Sequence, residues 1–333
     1  MSATRYRLLL AGFFGAMVST TPSILKAEDI DIFARINGTN DLPNVLIIWD
    51  SSANWSSSIP VPDCSYLDNG APRVQEPTQP MATNPGKEQG KKLAIEKCAI
   101  HNVIDALPTQ LDGTPRFNVG LMLFNESPAA NSGGYPRVQF LPLDSANKEI
   151  LKKAIRGITI GDDKGNNAAF AKALYEAWLM FSKGTPYKGT AGLKWDLAAV
   201  SGNKYVGPPG SGCGKNHIIF VANGSSGEVT DNEARDLLAA AGGSTAALTY
   251  PTSLISNSDQ GNWADEYARF LRGVDVSSMD GVQSITTHGV AVTGASSDGN
   301  YPNFIRAMAQ QGGGQYYEAS DIAKLLKVLF GCW

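Results

Sequence analysis

Only three histidines occur in the 333 residues, and no GxSxG, HExxH or P-loop spacing is present. His101 falls on a helical segment, His217 at the start of an apolar run and His288 within another, so the three read as scattered. The glycine-rich stretch Gly207–Gly214 leads into a strand-like run, which denies it the helix N-terminus that cradles phosphate. A catalyst needs nucleophile, base and charge stabiliser together, so the sequence points away from an enzyme. The four cysteines, Cys64, Cys98, Cys213 and Cys332, form no CxxC, which argues against a zinc site. Basic residues are also short. The formal charge is −3, and setting aside Arg5, Arg7 and Lys26 of the first 27 positions makes the rest more acidic still. That balance disfavours a nucleic-acid partner, because phosphate binding needs a basic surface.

Long apolar runs are equally scarce. Arg5 and Arg7 precede Leu8–Val18, a run short of a bilayer span, and the order of charge and apolar residues reads as a secretory signal over 1–27. An N-terminal anchor or a first buried helix is the alternative. With the signal removed no transmembrane segment is expected, and the protein is expected to be exported to the periplasm, cell surface or pilus tip. An even cysteine count in an exported chain suggests two disulfides. Three pairings are open; Cys64–Cys98 would staple an insertion to a helix.

What is present is a rhythm. Val45–Trp49 is apolar on both faces, as in a strand covered on both sides. Helical periodicity follows over 89–107, then a strand at 117–124, an edge strand at 137–143 marked by Pro142, a helix over 145–156 that Asp144 or Ser145 can cap, and a helix over 167–183. Ile218–Val221 is a further strand. Thr230 and Glu233 suggest a capping box for a helix over 231–241. A strand near 246–250, a helix at 263–271, a strand at 282–292, a helix at 301–311, a strand at 315–317 and a helix at 320–330 complete the series. The alternation predicts a doubly wound, mostly parallel α/β sheet flanked by helices, Rossmann-like in plan. A lead segment covers 28–42, the domain 43–330, and a short tail 331–333. Stretches 55–88 and 184–214, rich in Pro, Ser, Asn and Gly, read as irregular insertions.

Two apolar strands end in small polar loops, Asp50-Ser51-Ser52-Ala53-Asn54 and Ala222-Asn223-Gly224-Ser225, and a third polar loop spans Gly161–Asn167. Ligands collect at the carboxyl edge of such sheets, and oxygen-bearing loops suit magnesium or calcium. Here the sequence resembles a von Willebrand factor A domain, whose metal-ion-dependent adhesion site begins Asp-x-Ser-x-Ser. Asp50 and Ser52 match, whereas Asn54 replaces the last Ser. The family's Thr position is covered by Asn167, and its later Asp by Asn223. With one carboxylate left, a cation would be held weakly or not at all.

Within that family the segments PNVLIIWDSSANWS, Lys92–Lys97, Cys213–Phe220 and Gly312–Asp321 are similar to exported type IV pilus tip adhesin and biogenesis proteins of the PilC/PilY type. Those usually continue into a β-propeller, whereas this sequence ends at Trp333, which fits a fragment, a stand-alone relative or a component whose partner supplies the rest. The resemblance implies an adhesion or pilus-associated binding module. Its partners would be minor pilins, a surface receptor, or a separate propeller-bearing chain. Trp55, Asp162, Asp163, Asn166 and Ser225 are the expected contacts on the rim, Trp55 foremost because tryptophan is enriched among binding anchors. A structural scaffold, or a periplasmic assembly factor that docks pilus subunits without metal or receptor, is the alternative.

Overall fold

A computed structural model describes residues 42–58, 65–69, 71–72, 90–110, 112–124, 133–165, 168–187, 194–210, 214–225, 231–293 and 300–319. Expectations for the first 41 residues, for Cys64, Asn166, Asn167, Cys213 and Cys332, and for the helix at 320–330 lie outside the described residues.

Strand β1, Asn44–Trp49, is buried throughout, as a strand apolar on both faces must be. Leu67–Asp68 (β2) and Ala71–Pro72 (β3) form a short antiparallel pair inside the first insertion. Helix α1, Lys92–Ala106, is followed by β4, Asn118–Phe124, and by β5, Gly134–Pro142. Next come α2 (Ser145–Arg156), the single turn α3 (Ile160–Asp163) and α4 (Phe170–Phe181). The second insertion carries a two-rung hairpin of β6 (Val200–Ser201) and β7 (Lys204–Tyr205). The chain then runs through β8 (Asn216–Ala222), α5 (Asn232–Ala240), α6 (Asn257–Gln260) and α7 (Ala264–Gly273). It closes with β9 (Ile285–Val292), α8 (Tyr301–Gln311) and β10 (Gly313–Ala319).

The main sheet has six strands in the order β10-β9-β8-β1-β4-β5, all parallel except β5. Counting long strands along the chain, this is the doubly wound order, with β1 and β8 flanking the point where the direction of winding reverses. The plan agrees with the one the von Willebrand A resemblance implies. β5 lies at an edge, where Pro136 and Pro142 cost no interior ladder bond. Val45, Ile47 and Trp49 face α1 and α2, against Leu93, Ile100, Ile104, Leu151 and Ile155. Leu46 and Ile48 face the other way, into a layer with Phe170, Leu174, Tyr267, Leu271 and Phe304. Each such side chain contributes about 1.5–3 kcal/mol by leaving water.

Two local expectations need correction. Residues 246–250 form no strand: the Leu248 and Tyr250 amides donate to Glu266 Oε1 (2.6 Å) and Gln260 Oε1 (2.8 Å), so side chains take the place of a neighbouring strand. Helix α5 is capped by Asp231, which accepts from the Ala234 amide at 2.9 Å, while Glu233 pairs with Lys172 instead of closing a capping box. The expected cap of α2 does hold, with Asp144 accepting from the Asn147 amide at 2.8 Å.

Candidate functional site at the carboxyl edge

β1 and β8 end side by side, so the loops after Trp49 and Ala222 emerge at the winding reversal although 173 residues separate Asp50 from Asn223. Asp50 Oδ1 accepts from the Ser52 amide (2.9 Å) and Oδ2 from the Asn223 amide (3.2 Å). The Asn223 side chain donates to Asp50 O (2.7 Å), and its Oδ1 accepts from Ser52 Oγ (3.1 Å). A side-chain carbon on Gly224 would collide with the Asn54 amide, which would have to shift to admit it. The third loop joins through Gly165, whose amide donates to Ser51 O at 2.7 Å. Asp50, Ser52 and Asn223 therefore converge as the sequence suggests, with half-buried Asn54 beside them.

Beneath this centre lies a layer the sequence reading left without a role. Lys92, on the first turn of α1, is 1% exposed, and its Nζ donates to Asn223 O at 2.8 Å. One turn on, Glu96 is fully buried, and its Oε2 accepts from the indole nitrogens of Trp49 (2.5 Å) and Trp55 (2.9 Å). Burial pushes Asp50 up to about 6 and Glu96 up to about 8, and the Lys92 charge opposes both shifts. The signal for this layer was two opposite charges four residues apart, Lys92 and Glu96, at the start of a helix with a broad apolar stripe.

Trp55 corrects an expectation. It is fully buried in a 3₁₀ turn, edge-on to Trp49 with ring centroids 5.2 Å apart, and offers nothing to a partner. Its indole N–H needs a buried acceptor, and Glu96 supplies one. Asp163 is also turned inward, accepting from the Thr159 amide (2.8 Å) and pairing with Lys194 (3.3 Å). Asp162 and Ser225 are exposed on the rim.

The described residues, which leave out Asn167, do not suit a divalent cation. Both oxygens of Asp50 already accept N–H groups, Asn223 Oδ1 is engaged by Ser52, and an ammonium sits against the same loop. Among the described residues no three His, Cys, Asp or Glu side chains converge as a metal site.

The histidines are less scattered than the sequence suggests. His217 Nδ1 and His288 Nε2 are 3.3 Å apart on neighbouring strands. The Gln315 amide donates to His288 Nδ1 (3.2 Å), which puts that ring's proton on Nε2, facing His217. Burial lowers these rings to about 3 and about 4, so both are neutral. They sit at the amino end of β8, with Asp50 beyond its carboxyl end. Cys98 is disulfide-bonded to a partner outside the described residues, and its Sγ lies 3.7 Å from Ser65 O. No helix among the described residues is long and apolar enough to cross a membrane.

No protein-family profile matches the sequence, and no curated protein does. Among solved structures, similar ones include the conserved hypothetical protein BatB of Bacteroides thetaiotaomicron, at 12% identity and a TM-score of 0.40, covering 87% of this chain and 96% of that one. A von Willebrand factor type A protein of Catenulispora acidiphila matches at 14% identity and 0.42, covering 87% of this chain and 41% of that one. The PilB minor pilin of Streptococcus sanguinis matches at 11% and 0.41, covering 89% and 61%. At such identities and scores these likenesses carry no functional argument.

Proposed function

We propose that this chain is an exported, non-enzymatic, pilus-associated binding module of the von Willebrand A type, whose rim recognises its partner without a metal ion. The observation that carries the reading is Lys92: its ammonium supplies positive charge from within the protein, against a loop pair that keeps one carboxylate. The exposed rim around Asp162 and Ser225 is then the contact surface. The partner is a minor pilin or a surface receptor, and a propeller-bearing chain would be a third kind. The proposed disulfide pairing is Cys64–Cys98, supported by the closeness of Cys98 to Ser65.

Calorimetric titration of the whole chain with magnesium and calcium should give no binding tighter than about 0.1 mM, the range of weak extracellular calcium modules. Tighter binding would sink the metal-free reading. Recovery of pilus subunits by the Asp162→Ala/Ser225→Ala variant should fall well below wild type. Equal recovery would favour the second reading, a scaffold that docks subunits through its insertions. The burial of Trp55 and Asp50 lends that reading its support.

A further inference from the structure

β1 and β8 also begin together, at the opposite edge of the sheet. Asn44, Asn118 and Asn216 lie in register across three adjacent strands. Their amides form a ladder: Asn118 Nδ2 donates to Asn44 Oδ1 (2.8 Å), and Asn44 Nδ2 donates to Asn216 Oδ1 (2.9 Å). The ladder runs out at Asn216. That residue is only 5% exposed, yet its Nδ2 has no acceptor among the described residues. The nitrogen itself is not sealed from the cavity, so it is open to an acceptor on a ligand.

Asn216 lines a cavity of about 380 Å³, a volume in the range of small-molecule sites. The end of α4 and the loop before β9 form its walls, and they bring two opposite charges, Lys183 and Asp275. Neither makes an ion pair among the described residues. Asp275 Oδ1 accepts from the amides of Ser277 (3.1 Å) and Gln283 (3.2 Å), which fixes the carboxylate and leaves Oδ2 unengaged. Lys183 has φ +59, in the left-handed region just past α4 where glycine is normally found. Its stem lies over Gly207, itself at φ +73. A lysine held in that conformation costs stability that a glycine would not. Backbone strain of this kind gathers at ligand sites.

We propose that this cavity binds a small zwitterion of amino-acid or dipeptide type, its carboxylate on Lys183 and Asn216 Nδ2 and its ammonium on Asp275 Oδ2. Lys183 and Asp275 are both exposed, and two opposite charges that line one cavity without pairing are matched by a ligand carrying both. A simple anion would meet Asp275, and a simple cation would meet Lys183.

Calorimetry of the whole chain with L-alanine, L-alanyl-L-alanine and N-acetyl-L-alanine tests this. One of the two zwitterions should bind saturably, and the acetylated probe, which lacks the ammonium, at least about tenfold more weakly. Whether alanine or the dipeptide binds better reads the charge separation the cavity accepts. Lys183→Gly should weaken zwitterion binding by about tenfold or more while raising the melting temperature, since glycine suits the backbone there. That opposite movement separates a lost contact from unfolding. Asp275→Asn keeps an oxygen for the Ser277 and Gln283 amides and should abolish the preference over the acetylated probe. No saturable heat from either zwitterion up to about 10 mM, a weak-binding limit near 3 kcal/mol, would overturn the proposal. So would unchanged affinity in Lys183→Gly, or equal binding of N-acetyl-L-alanine.

Discussion

The two ends of the strand pair β1 and β8 solve the same problem in different ways. At the carboxyl end Asp50, Lys92 and Glu96 are buried, and Ser52, Asn223 and two indoles engage their polar atoms apart from Glu96 Oε1. At the amino end the buried groups are neutral amides and imidazoles, and a donor is left facing a cavity. The contrast follows from the cost of desolvation. A buried charge without partners costs far more than a buried amide without one. The charged end is therefore closed almost wholly by its own residues, whereas the neutral end can stay open to a ligand.

Lys92→Met is the harshest way to break that comparison. It leaves Asp50 without its nearby cation and Asn223 O without its donor, and should destabilise the fold by about 3–5 kcal/mol. Urea denaturation of the whole chain measures this. A loss below about 1 kcal/mol, the scale of an exposed pair, would mean that the ammonium is not integral to the rim.

pH separates the two ends next. Asp50 and Glu96 ionise near 6 and 8 when folded, against 3.8 and 4.5 for the free groups. The folded state therefore binds more protons across that window, and stability falls as pH rises through it. His217 and His288, with His101 (lowered to about 4 by burial), ionise below the free value of 6.5. There the unfolded state binds more protons, and stability falls as pH drops from about 6.5 towards 3. The two windows overlap and oppose each other between about 4 and 6.5; above that only the raised carboxylates act, Glu176 (about 7) and Asp265 (about 8) among them, so the urea midpoint should fall from about pH 6.5 to 8. Glu96→Gln should make that fall shallower and leave the acid limb intact. A midpoint climbing steadily from about pH 6.5 to 9 would contradict the carboxylate assignments.

The smallest effect belongs to the amide ladder. Asn44→Ala strands Asn216 Oδ1 and leaves Asn118 Nδ2 with Pro209 O alone, a loss of about 1–3 kcal/mol. If that variant proved costlier than Lys92→Met, the ranking of charged over neutral ends would be wrong.

Much of the architecture was legible because it is local. The apolar run Val45–Trp49 appeared as a buried strand, Pro142 marked an edge, and Asp144 capped its helix. The site was legible only in outline. Asp50, Ser52 and Asn223 converge, but Trp55 gave a misleading signal: a tryptophan after a polar loop looks exposed until a buried carboxylate is found for its N–H. The segment 246–250 misled for a related reason, since its strand-like amides are met by Glu266 and Gln260.

The sequence by itself determined the periodicities, the caps and the polar residues at the strand ends, because these depend on neighbours within a few positions. Only the tertiary structure decided that Lys92 would meet Asn223 across 131 residues, or His217 meet His288 across 71. Such meetings are set by strand order and register, and the pattern of one segment carries no record of where another will lie.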